Sequence, residues 1–278
     1  MQEAKKIKVG ISIGDLNGIG CEIILKTFLD PRMLELCTPV VFASNKTISQ
    51  WMMLLNYQLK FNGIKTAKEA LHGKFNVVNV WKDQPELTPG EQNQTGGTYA
   101  LQSLQAAVKS LKDSSVDVLV TAPIDKNNIQ SQEFKFPGHT DYLAQELEGK
   151  SLMFMISSKL RVGLLTDHIP VKSVSDHITP ELVEAKVSTV ERTLQQDFGI
   201  SKPKIALLGI NPHSGDQGVI GKEDDQTLRP TITKLQEQGK LVFGPYAADG
   251  FFGSENYKNF DAILAAYHDQ GLIPFKTL

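Results

Sequence analysis

Short apolar runs that end at Gly-, Pro- or His-bearing turns alternate along this chain with stretches of helical periodicity. That alternation restricts the fold to α/β, with a mostly parallel sheet built by right-handed βαβ crossovers. Residues 7–13 read as a first strand, followed by the loop Gly14-Asp15-Leu16-Asn17-Gly18-Ile19-Gly20 and a helix over about 21–29. Further strands are read at 39–43 and 76–81, with a helix at 48–55 between them. Leu101, Leu104, Val108 and Leu111 recur at i, i+3, i+7 and i+10, which predicts an amphipathic helix over 95–112. The stretch 116–120, apolar but for Asp117, reads as a strand of the buried parallel type. Past a turn at 137–140 the pattern predicts a helix through Leu147, then strands at 152–156 and 161–165. Val183, Val187, Val190 and Leu194 share one helical face, so a helix over 180–196 is expected, with Thr179 as its N-cap and proline at its first position. A strand at 204–210, a helix at 223–238 and a strand at 262–266 complete the series.

With 278 residues the chain is long enough for one large or two modest domains, and two are expected. The net charge of −2 supplies no basic field for nucleic acid or for an anionic membrane surface, so neither is expected as a partner. Cys21 and Cys37 offer neither a disulfide framework nor a Cys-x-x-Cys knuckle, which favours a reducing compartment. No apolar run approaches membrane-spanning length, and residues 1–6 carry no apolar leader, so a cytoplasmic location is expected.

Three histidines follow strand-like runs: His168 in Thr166-Asp167-His168, His213 in Asn211-Pro212-His213-Ser214-Gly215, and His268 in Tyr267-His268-Asp269-Gln270-Gly271. Ligands collect at the carboxyl ends of strands in open parallel sheets. Three imidazoles delivered there would hold a divalent metal with open positions for substrate. An all-imidazole site is neutral, so the ion keeps its full charge for Lewis-acid work. Asp167 and Asp269, each next to one of these histidines, are placed to orient them or to accept a proton. A single histidine in such a place is more often a hydrogen-bonded structural residue; the shared placement of three argues for ligation. His72 and His177 lie in polar surface contexts and are set aside.

Thr121-Ala122-Pro123-Ile124-Asp125-Lys126 and Gly138-His139-Thr140 form a second constellation, because a helix N-terminus offers free N–H groups to a phosphate or carboxylate. Read locally, Thr140 serves equally well as an N-cap and Lys126 as a solvated side chain. The glycines at 14, 18 and 20 do not match G-x-G-x-x-G, and no P-loop, G-x-S-x-G elbow or H-E-x-x-H is present.

Taken together, Gly14-Asp15 to Glu22, Thr121-Ala122-Pro123 with Lys126, Gly138-His139-Thr140, the His168 and Asn211-Pro212-His213 loops, Gly244-Pro245 to Asp249, and Tyr267 to Gly271 resemble, in order, the PdxA family of vitamin B6 biosynthesis. The resemblance implies two α/β/α domains around a cleft, as in the isocitrate and isopropylmalate dehydrogenases, which bind NAD without the usual glycine fingerprint. It divides the chain into a first domain of 1–138 with 250–278 and a second of 139–249. It makes His168, His213 and His268 ligands of Zn, Co, Mg or Ni, with His268 completing a site shared by two subunits of a homodimer. His139, Thr140 and Lys276 become contacts of a small phosphorylated hydroxy-acid substrate, and Asp249, Asp269 and Lys126 candidates for proton transfer. NAD is the implied cofactor, with NADP as the alternative. Leu16, Asn17 and Cys21 stand where the family usually has Pro, Ala and Pro. Family members also continue past the position of Leu278, into a segment with further substrate and cofactor contacts, so metal binding is expected of these 278 residues ahead of turnover.

The chemistry so implied is oxidation and decarboxylation of 4-phosphohydroxy-L-threonine, a step toward pyridoxal 5'-phosphate. Three rival readings are a dehydrogenase of a four-carbon sugar-acid 4-phosphate (threonate or erythronate), a hydrolase built on a tri-histidine metal site, and a non-catalytic paralogue that binds ligand without turnover.

Overall fold

A computed structural model describes residues 6–278; residues 1–5, part of the stretch read above as lacking a leader, lie outside the described residues. The chain divides into two compact units, 1–150 and 151–278.

The first unit contains β1 (Lys8–Ser12), α1 (Gly20–Leu29), α2 (Met33–Leu36), β2 (Thr38–Ala43), α3 (Asn45–Leu54), β3 (Phe61–Ile64), β4 (Phe75–Asn79), α4 (Gln94–Lys112), β5 (Val118–Thr121) and α5 (His139–Glu146). Its strands form one parallel sheet in the order β3-β4-β2-β1-β5. Side chains alternate across a strand, so Val41 and Val77 join Ile24, Phe28, Ile48 and Trp51 of α1 and α3 in one core cluster. Val40, Phe42 and Val78 join Ala107 of α4 in another. Asn93 caps α4 by accepting from the Gly96 N–H at 2.8 Å. The stretch 116–120 is not the buried strand its composition suggested. β5 is an edge strand that pairs only with β1, and Val118 and Val120 are 42% and 51% exposed. β3 escaped the sequence reading because Phe-Asn-Gly-Ile is too short and mixed to show a period.

The second unit contains β6 (Phe154–Ile156), β7 (Arg161–Leu164), α6 (Val174–His177), α7 (Pro180–Gln196), β8 (Ile205–Leu208), α8 (Arg229–Glu237), β9 (Val242–Tyr246), α9 (Ala248–Gly253), β10 (Ala262–Ala265) and α10 (His268–Thr277). The sheet order is β6-β7-β10-β8-β9, and every pairing is parallel except β6 with β7. Thr179 caps α7 by accepting from the Leu182 N–H, and Val183, Val187, Val190 and Leu194 are wholly buried beneath it. The helix expected over 223–238 begins instead as a π-helical turn, Asp224–Leu228, and is α-helical only from Arg229. Pro230 has no N–H to continue the regular i to i−4 ladder through this junction.

The discontinuous first domain is also corrected. β10 pairs on both sides, with β7 and with β8, so residues 250–278 belong to the second unit. Residues 139–150, with α5, belong to the first. Among the described residues no helix is long and apolar enough to cross a membrane.

Candidate active site

In the second unit β7, β10 and β8 lie side by side and parallel, so their carboxyl ends share one rim of the sheet. The chain leaving β7 reaches His168, that leaving β10 reaches His268 at the first position of α10, and that leaving β8 reaches His213. Neighbouring strands are about 4.8 Å apart, so the three strand ends lie close along the rim; His168, His213 and His268 stand four, five and three residues beyond them. The His168 and His268 rings stand together, their centroids 5.7 Å apart. The resemblance cast His268 as completing a site between subunits; within one chain it already neighbours His168. Among the described residues no three His, Cys, Asp or Glu side chains are gathered into a metal-binding group, so His213 does not close the set with these two. His213 is exposed, on a turn of left-handed residues.

Asp269 Oδ1 lies 2.7 Å from His268 Nδ1. That contact fixes the ring's orientation and leaves Nε2 free, the arrangement found behind metal-bound histidines. Asp167 does something else: its Oδ1 accepts from the backbone N–H of His168 at 2.8 Å. Within the described residues the structure thus brings His168 and His268 side by side, and His213 follows the neighbouring strand β8 without joining them.

Two residues that the sequence reading passed over hold this rim together. Thr166 Oγ1 donates to the Ala266 carbonyl at 2.7 Å, joining the end of β7 to that of β10. Gln270 accepts from the Ala266 N–H and donates to the Gly209 carbonyl, both at 2.7 Å, joining β10 to β8. Gln270 stands within the Tyr267 to Gly271 motif, two residues past His268. Gly271 is required by packing, since a Cβ there would lie 2.8 Å from Leu164 Cδ2 and 2.9 Å from Val162 Cγ1. Asp249 is exposed in the first turn of α9, and Lys276 is exposed in the last turn of α10. Eight residues of helix place the Lys276 backbone about 12 Å from that of His268.

In the first unit Lys126, His139 and Thr140 gather at the start of α5. A Cβ on Gly138 would meet Lys126 Cε at 3.9 Å, so the lysine stem runs past the helix N-cap. The cap is Gly138 rather than Thr140, and no side chain satisfies it. His139 Nε2 is buried without a partner, and burial holds this imidazole below its usual pKa. An unsatisfied ring nitrogen beside free helix N–H groups and a lysine is suited to an oxyanion.

The Gly14–Gly20 loop is structural. Gly14 adopts φ +70°, and a Cβ there would strike the Pro123 carbonyl at 2.1 Å. Asp15 is buried and accepts from the Asn17 N–H and from Asn128 Nδ2. Asn17 donates to Asn93 Oδ1 and accepts from the Thr88 N–H, linking the loop to the start of α4. The adjoining cavity of about 260 Å³ is lined by Asp15, Glu91 and Asp125, an acidic lining unsuited to phosphate.

A family model described as pyridoxal phosphate biosynthetic protein PdxA matches residues 35–278. A 4-hydroxythreonine-4-phosphate dehydrogenase of Bacteroides thetaiotaomicron is 46% identical over 99% of this chain and 76% of its own length. A Clostridium botulinum relative, provisionally named D-threonate 4-phosphate dehydrogenase, is 32% identical over 97% of this chain and 82% of its own. Among solved structures, a 4-hydroxythreonine-4-phosphate dehydrogenase from Burkholderia phymatum superposes with a TM-score of 0.87 at 30% identity, covering 99% of this chain and 84% of that one.

Proposed function

From the premise that the chain belongs to the PdxA family of pyridoxal phosphate biosynthetic proteins, we propose that it is an oxidoreductase that oxidises and decarboxylates 4-phosphohydroxy-L-threonine to 3-amino-2-oxopropyl phosphate. NAD is the hydride acceptor in this reading, with NADP as the alternative. The single observation that carries it is the pairing of His168 with His268 at the rim formed by β7, β10 and β8.

His168, His213 and His268 would hold a divalent cation, zinc, cobalt, magnesium or nickel, through neutral imidazole nitrogens. When bound, such a cation would supply positive charge that stabilises negative charge on a substrate oxygen. Asp269 keeps the His268 ring oriented with Nε2 outward. Because Asp269 is engaged there, Asp249 and Lys126 are the freer candidates to take the hydroxyl proton. His139, Thr140 and the α5 N–H groups would bind the phosphate, with Lys276 as a further anchor. Their contribution is orientation of the reacting carbon toward the nicotinamide. Self-association into a homodimer and a cytoplasmic location belong to the same reading; Cys21 and Cys37 are both free thiols.

The Clostridium relative's name keeps a second substrate in view, a four-carbon sugar acid with a hydroxyl in place of the amine. The test is NADH formation from 4-phosphohydroxythreonine and from D-threonate 4-phosphate, each before and after EDTA treatment and metal add-back. Faster, metal-dependent turnover of the amino acid supports the proposal. Faster turnover of the sugar acid replaces it, and phosphate release without reduction of the nicotinamide replaces it with a hydrolase.

A further inference from the structure

Five consecutive residues beyond β8 wind in the left-handed sense: His213, Ser214, Gly215, Asp216 and Gln217 have φ of 53°, 51°, 82°, 45° and 55°. Four of them carry side chains, for which this conformation is sterically unfavourable. Such a turn persists only where its surroundings over-determine it. Two anchors do so here. Ser214 is buried, donates from Oγ to the Pro245 carbonyl at 3.1 Å and from its N–H to the Asn211 carbonyl at 3.0 Å. Asp224 is 0% exposed and accepts from the Ile210 N–H at 2.8 Å, from the Asn211 N–H at 3.0 Å and from Asn211 Nδ2 at 3.0 Å. Gly209 leaves room for both anchors, since a Cβ there would stand 2.9 Å from Asp224 Oδ1 and 2.8 Å from Ser214 Oγ. The buried carboxylate thus grips the two residues that lead from β8 into the turn, immediately before Pro212 and His213.

We propose that Asp224 is the positioning residue for His213, holding the left-handed turn that carries this imidazole beyond the end of β8. The inference rests on the metal reading above and assigns Asp224 no contact with substrate. Its π-helical setting at Asp224–Leu228 is consistent with the role, because the irregular turn lets a helix begin with its side chain aimed back at the strand end.

The experiment measures zinc affinity, by competition with a chromophoric chelator, for the unaltered chain, Asp224→Asn, His213→Ala and the double variant, with circular dichroism as a check on folding. Asparagine keeps the size of the side chain but turns an amide donor toward backbone N–H groups. Asp224→Asn is expected to weaken zinc binding by about 10- to 100-fold, and to add nothing in the His213→Ala background. Unchanged affinity in Asp224→Asn alongside a loss in His213→Ala overturns the role of Asp224 and leaves the metal reading intact. Multiplicative losses in the double variant overturn it too, because Asp224 then acts independently of His213. Unchanged affinity in His213→Ala overturns the ligand assignment and the inference with it. If Asp224→Asn does not fold, Ser214→Ala probes the same turn, with the same non-additive loss expected and an additive one contradicting it.

Discussion

At the level of single residues the site is governed by what each polar group has for a partner. His268 is held by Asp269 through Nδ1; without that acceptor the ring is free to turn its other nitrogen toward the rim. Asp269→Ala is therefore expected to lower zinc affinity by about 10- to 100-fold, with little change in thermal stability, because the carboxylate is exposed. Calorimetric titration with zinc checks this. His139 is governed by the lack of a partner: burial lowers its pKa in the folded chain, so the unfolded chain takes up the proton first as pH falls below about 6.5. The contribution of His139 to stability is then present above that pH and lost as pH falls toward the lowered folded value. His139→Gln should flatten this part of the profile of unfolding midpoint against pH, and an unaltered slope would show that another group is responsible. The departures at positions 16, 17 and 21 are also explained at this scale. Leu16 and Cys21 pack in the core around α1, where burial pushes the Cys21 thiol up to about 12 and leaves it inert, and Asn17 ties its loop to Thr88 and Asn93.

Among the elements, the sequence was most informative where a period ran long enough to define a face. Helices α4 and α7 were legible from their spacing, and the cap at Thr179 from its neighbour Pro180. Burial on one side then decides energetics: Leu194 is wholly buried beneath α7, and Leu194→Ala should cost about 2–5 kcal/mol. Val120 on the edge strand β5 is half exposed, and Val120→Thr should stay within about 0.5 kcal/mol. Urea denaturation of the two variants provides the comparison; similar losses would mean that β5 is covered in solution. Composition could not distinguish these cases, because an apolar run records that a strand is buried only when it also has a neighbour on each side. The left-handed turn at 213–217 was illegible for a related reason: no local propensity favours it, and it exists through Asp224 and Ser214, contacts made at a distance along the chain.

For the molecule as a whole, the order of motifs carried the family, and the sheet topology brings the three strands that precede the histidines side by side. His168, His213 and His268 are separated by 45 and 55 residues in sequence, yet β7, β8 and β10 are neighbours because β10 inserts between the other two. That insertion was also what the domain division missed, since nothing local in 262–265 says which sheet receives it. The account depends on these three strand ends forming one cation site. The measurement that tests it most directly is an anomalous difference map at the zinc edge from crystals of the zinc-loaded protein. A single strong peak about 2.0–2.1 Å from ring nitrogens of His168, His213 and His268 is the predicted result, and a peak elsewhere, with these nitrogens unligated, would contradict it.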